Sequence, residues 1–163
     1  MYDDTVQKTA LFSDLFTNTI FLSSLFSLCS AQVLKGVFAL TRRKYRKKKR
    51  ELAEIVFWST GGMPSSHAAV VCAMSTSIAF VEGFTSTLFI LSFWFALVVM
   101  RDAMGVRRLA GILAKTVNNL GKQTAEKTDI NFSSVKEIQG HTPLEVIVGG
   151  LLGIGIALVL NLL

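Results

Sequence analysis

A chain of 163 residues with a net charge of +6 and 51% apolar residues is long enough for one domain and too apolar for an ordinary soluble one. Its mean hydropathy of +0.50, gathered into long uncharged runs, marks a small polytopic membrane protein. Its two cysteines, Cys29 and Cys72, lie inside apolar runs, which excludes a thiolate metal site and a secreted disulfide framework and leaves both as packing residues.

In chain order, Asp3 and Asp4 precede Lys8, so the N-terminus lacks the basic start of a signal peptide. The first apolar run covers about 11–33, and its helical pattern continues through Lys35 towards Leu40. A basic loop over 41–62 follows, with eight Lys or Arg residues among the nine from Arg42 to Arg50. Such a block reads as solvated chain beside anionic lipid headgroups. No nucleic-acid partner is expected, since no base-reading motif accompanies the charge.

Gly61-Gly62-Met63-Pro64-Ser65-Ser66-His67 then opens the second apolar run. Two glycines free the backbone, proline sets the entry angle, and either serine can cap a helix. The unpaired amides of a helix N-terminus suit an anion, and a histidine in the first turn adds a proton donor. The runs at 66–82 and 85–101 predict two spans joined at Glu82-Gly83. Each is short of a full crossing by itself, so a hairpin of partial depth is the competing arrangement. From Val106 the apolar residues recur at helical spacing, which predicts an amphipathic interfacial helix over 106–122. A polar loop at 123–142 leads to the last span, 143–163, whose glycines permit close helix packing.

The expected fold is all-α, a single membrane domain over 1–163 with about four transmembrane helices and one interfacial helix. With that topology, 16 of the 17 Lys and Arg residues fall in 34–66 and 101–142, on one side of the bilayer. The positive-inside rule makes that side cytoplasmic and puts both termini outside.

The same topology gathers the reactive side chains. Lys35 ends the first span and His67 opens the second; Arg101 and Asp102 close the third, and His141 stands just before the fourth. Phosphoryl transfer needs cations and amides on the nonbridging oxygens, a nucleophile, and an acid for the leaving oxygen. Two histidines can fill the last two roles without a metal if a carboxylate orients one of them. Glu145, one turn after His141, is placed to do so. It is equally the third helical residue of a capping box begun by Thr142, with Pro143 at the first helical position. Arg101-Asp102 reads also as a local ion pair, and Arg107 and Arg108 also as headgroup ligands.

Several of these residues resemble the motifs of the type 2 phosphatidic acid phosphatase superfamily, which includes the vanadium haloperoxidases. Lys35 is followed after six residues by Arg42, with Arg43 where that superfamily has proline. Pro64-Ser65-Ser66-His67 matches its Pro-Ser-Gly-His motif with serine for glycine, and His141-Thr142-Pro143-Leu144-Glu145 matches the end of its third motif with glutamate for aspartate. The arginine of the third motif is missing, since Val135 stands in its place; Arg101, Arg107 or Arg108 can supply the charge instead. Together with Arg-Asp-Ala-x-Gly-Val-Arg-Arg at 101–108, the pattern looks like the membrane acid-phosphatase-related family of bacteria and plastids.

That resemblance implies that His141 is a nucleophile forming a phosphohistidine, that Glu145 orients it, and that His67 protonates the leaving group. It implies phosphate contacts from Lys35, Arg42, Ser65, Ser66 and one of Arg101, Arg107 and Arg108, with Asp102 as a further orienting group and no metal or other cofactor. The expected activity is hydrolysis of a lipid phosphate at the cytoplasmic face of a bacterial inner or plastid-type membrane. Phosphatidate, phosphatidylglycerophosphate and isoprenoid phosphates or diphosphates lead as substrates. The alternative is a non-hydrolytic membrane protein that keeps the pocket for anionic lipid or scaffolds a partner. The glycine-rich last span and the short hairpin also suggest a homodimer.

Overall fold

Asn18 opens the first long helix: in this computed structural model its Oδ1 accepts from the Ile20 and Phe21 amides at 2.9 and 3.1 Å. The structure describes residues 14–41, 62–128, 130–137 and 140–163. Its long helices are α1 (Thr19–Thr41), α2 (Ser66–Glu82), α3 (Thr87–Met104), α4 (Val106–Thr128) and α5 (Pro143–Leu162). A single helical turn at 14–17 precedes α1, and the described residues contain no strand. The side chains of Ser65, Ser86 and Thr142 cap α2, α3 and α5. Gly83, at φ 90°, ends α2 in a conformation that favours glycine and turns the chain into α3.

Among the described residues, three helical stretches are long and apolar enough to cross a bilayer: Thr19–Ala39, a window within Thr87–Thr128, and Pro143–Leu162. The shorter α2, of 17 residues, is apolar as well. Its place explains its composition. It packs against α1, α3 and α5, and nine of its 17 residues are buried, nearly all of them Ala, Ser or Val. A helix enclosed by other helices needs small side chains more than it needs lipid-facing bulk.

The α2–α5 seam is the closest in the bundle. A Cβ on Gly149 would overlap the Ser65 carbonyl, and one on Gly153 would overlap the Ala69 carbonyl. Farther along, Asn161 donates to the Ser77 hydroxyl at 2.9 Å, and these three pairs share one offset of 84 residues. A constant offset means that α2 and α5 run parallel, so their N-termini lie at the same end. The C-terminal part of α1 joins them there through Lys35, which reaches Ser66. The end of α3 joins through the Ala103 carbonyl, which accepts from the His141 amide at 3.1 Å.

Beyond Gly105 the chain leaves this bundle, and among the helices α4 adjoins α3 alone. Its apolar positions Val106, Leu109, Leu113, Val117 and Leu120 are exposed, as suits a helix lying in an interface. The segment 130–137 has no helix and lies along α4. The Asn118 amide clasps it, donating to the Val135 carbonyl at 2.8 Å and to Glu137 at 2.9 Å and accepting from the Val135 amide at 2.8 Å.

Candidate active site

At one end of the bundle the helix ends bring polar and charged side chains together. Ser65 is fully buried; its Oγ accepts from the Ala68 amide at 3.4 Å, and its own amide donates to the Glu145 carbonyl at 2.9 Å. Ser65 is thus the α2 cap, and it also fixes the height of α5 against α2. Ser66 has a different task, accepting from the Lys35 ammonium at 3.3 Å. Lys35 is only 4% exposed and has no carboxylate bonded to it among the described residues. The amides of Ser66 and His67 make no hydrogen bond with a described residue, which leaves two donors at the positive end of α2.

His141 is 2% exposed. Gly140 brings it there by lying so close to α4 that a Cβ would overlap the Arg108 backbone, and the bond from the His141 amide to Ala103 holds it. Its Nδ1 lies 3.2 Å from Glu145 Oε2, the same oxygen that accepts from the Thr142 amide at 3.0 Å. Glu145 therefore completes the capping box and orients the imidazole at once, so the two readings of that residue hold together. Nε2 is buried without a hydrogen-bond partner of its own among the described residues. Burial pushes the His141 imidazole below its ordinary value of 6.5, helped by the Lys35 charge and opposed by Glu145. The Gly62 backbone opposes it too. Burial prevails, and the ring is held neutral near pH 7.

His67, exposed at the pocket mouth, faces His141 with ring centroids 6.2 Å apart and planes at 66°. The charges of Lys35, Arg107 and Asp102 act on it. Arg107 Nε and Asp102 Oδ2 form an ion pair at 2.7 Å, both side chains half-exposed. Asp102 thus pairs across the Gly105 break with Arg107 and not with its neighbour Arg101.

Lys35, Ser65, Ser66, His67, His141 and Glu145 come together as their positions in the sequence suggest, with Asp102–Arg107 at the margin. Arg101 does not join them: it is exposed and lines an apolar groove between α3 and α5 with Trp94 and Leu97. Arg108 is exposed and meets the site region only through its backbone, against Gly140. Arg42 lies outside the described residues, as does the rest of the basic block. The glycines at 140 and 149 and the Ala103 carbonyl are site-builders without a motif of their own, although Gly-His in front of a capping box is a visible sign of the first.

A family model described as "Divergent PAP2 family" matches residues 16–156. The uncharacterized membrane protein YuiD of Bacillus subtilis (strain 168) is 40% identical over 158 residues, covering 90% of this chain and 96% of that protein. No solved structure matches.

Proposed function

This chain belongs to the divergent PAP2 family, and from that premise we propose that its pocket hydrolyses the phosphate ester or diphosphate of a membrane lipid. The observation that carries the reading is His141: buried, held at Nδ1 by Glu145, with no hydrogen-bond partner for Nε2 among the described residues and its ring 6.2 Å from that of a second histidine. With the Nδ1 proton donated to Glu145, the lone pair of Nε2 is free to attack phosphorus. The phosphorus–oxygen ester bond breaks, and its electron pair goes to the leaving oxygen, which takes a proton from His67. Water then attacks the phosphohistidine and gives its proton to His67. The phosphorus–nitrogen bond breaks, Nε2 recovers its lone pair, and inorganic phosphate leaves. Lys35 and the free amides of Ser66 and His67 bind the nonbridging oxygens where negative charge builds up. Two histidines supply both acid and nucleophile, so these steps require no metal.

The pocket faces the cytoplasm in this reading, since the helix ends that form it adjoin both basic segments of the chain. Phosphatidate, phosphatidylglycerophosphate and isoprenoid phosphates or diphosphates are the substrates to try, in vesicles with chelator present. The purified protein should release phosphate from at least one, and His141→Ala should lose about a thousandfold or more, as removal of a covalent nucleophile does. Equal background release by wild type and variant across that panel would reject hydrolysis. One observation favours the non-hydrolytic alternative: Arg107, whose charge reaches His67, is already neutralised by Asp102. Lipid binding without turnover, retained in both His67→Ala and His141→Ala, would decide for it.

A further inference from the structure

Arg101 stands where its own segment gives it no partner. It lies exposed near the end of α3, makes no ion pair or side-chain hydrogen bond with a described residue, and lines the gap between α3 and α5. That gap is a groove of about 680 Å³, within the usual range for small-molecule sites of roughly 300–1,000 Å³. One wall is the face of α3 that carries Trp94, Leu97 and Arg101; the other is the face of α5 that carries Ile147, Gly150 and Ile154. The floor is Cys72 of α2, whose Sγ lies 3.8 Å from Met100 Sδ. Gly150 keeps the groove open there, since a Cβ would come within 3.3 Å of the Cys72 sulfur. Arg101 is the one charged residue among those that line it.

The groove is separate from the histidine pocket. None of the histidine-site side chains lines it; Ala68, Ala103 and Val146 form a buried cluster beside it, and the Ala103 carbonyl accepts from the His141 amide. We infer that it binds one anionic phospholipid of the surrounding bilayer, with an acyl chain along α3 and α5 and the phosphate on the Arg101 guanidinium. Trp94 to Arg101 spans about 10 Å of helix, so a chain laid along it runs from the interface into the hydrocarbon. An arginine at the end of an apolar helix calls for an anion at that depth, and its planar fork matches the oxygens of a phosphate. Within this chain Asp102 is taken by Arg107 and Glu145 by His141, while Glu82 is at the opposite end of α2.

The test uses phosphatidylglycerol with a diazirine in its acyl chain, held in phosphatidylcholine nanodiscs with the full-length protein. Light should label peptides of α3 and α5 that face the groove. Arg101→Gln should lower that labelling about tenfold or more, the loss expected when a charge-assisted hydrogen bond is removed, while Arg101→Lys keeps part of it. Phosphatidylcholine carrying the same diazirine should label wild type only at the Arg101→Gln level. Gly150→Leu should block labelling by both lipids, and circular dichroism should show each variant to be as helical as wild type. His141→Ala should label as wild type does, whether or not the histidine pocket hydrolyses anything. The proposal falls if phosphatidylcholine labels as strongly as phosphatidylglycerol. It falls equally if Arg101→Gln labels like wild type, or if the groove stays unlabelled while cross-linked dimers form.

Discussion

The α2–α5 seam and the α4 segment are built on opposite principles. Along the seam, glycines bring two backbones into contact at Ser65 and Ala69, and the polar groups of the pocket are positioned by that contact. Along α4, one buried asparagine and the ring of Phe132 against Gly121 hold an otherwise exposed helix to its following segment. The seam supplies precision, because shape fit between backbones leaves little freedom to slide. The α4 segment supplies an amphipathic surface whose large apolar residues are exposed, as suits a helix placed by the interface around it. A site that must hold His141 against Glu145 within a few tenths of an ångström belongs on the first kind of structure.

The seam is most sensitive at Gly153. A leucine there must force α5 away from the Ala69 carbonyl, and backbone cannot yield as a side chain end can. Gly153→Leu should cost about 3 kcal/mol, the upper end for overpacking, read as helix loss on titration from mild detergent into sodium dodecyl sulfate. Phosphate release should fall about a hundredfold even in the folded fraction, since a displacement near 1 Å at the far end of the seam misplaces the reacting groups. Wild-type stability and turnover in this variant would mean that the seam does not set the site.

Asn118→Ala addresses the other region. Its amide satisfies both backbone groups of Val135, and without it those groups must turn to water. The expected cost is about 1–3 kcal/mol, confined to 130–137 and seen as faster amide hydrogen exchange there, with the exchange of α2 and α5 unchanged. Phosphate release should stay at the wild-type level. A large fall would show that the Asn118 clasp also helps to position the site and that the contrast between the two regions is too sharp.

Much of this was legible beforehand, for identifiable reasons. Ser65 and the Thr142–Glu145 box announce α2 and α5 because capping is local chemistry written within four residues. The convergence of Lys35, His67 and His141 follows from where apolar runs end, once charge has set their direction. What escaped depends on rotation and distance. Arg101 and Asp102 are neighbours in the chain, yet one lines the groove and the other pairs with Arg107 across a glycine break that no helical spacing predicts. Asn118 looks like any residue on the polar side of an amphipathic helix, because its partners at Val135 are backbone groups and leave no mark in the side-chain sequence. The last span's glycines signal close packing, but nothing in them says that α2 is the helix they meet.

The smallest expected effect sharpens the account of the seam itself. Asn161 donates to the Ser77 hydroxyl at 2.9 Å and to the Ala157 carbonyl of its own helix at 2.8 Å. It looks like a polar pin holding the two helices in register. If glycine contacts set the register, the pin is secondary, and Asn161→Ala should cost only about 0.6 kcal/mol, the usual size of a hydrogen bond between membrane helices. Ser77 then loses little, because a serine hydroxyl within a helix can turn back to the carbonyl four residues earlier. Phosphate release should be unchanged, since Asn161 lies at the end of α5 opposite the pocket. A cost approaching that of Gly153→Leu, with turnover lost as well, would reverse the order: a single hydrogen bond would be setting the offset of 84 residues, and the glycines would only be making room for it.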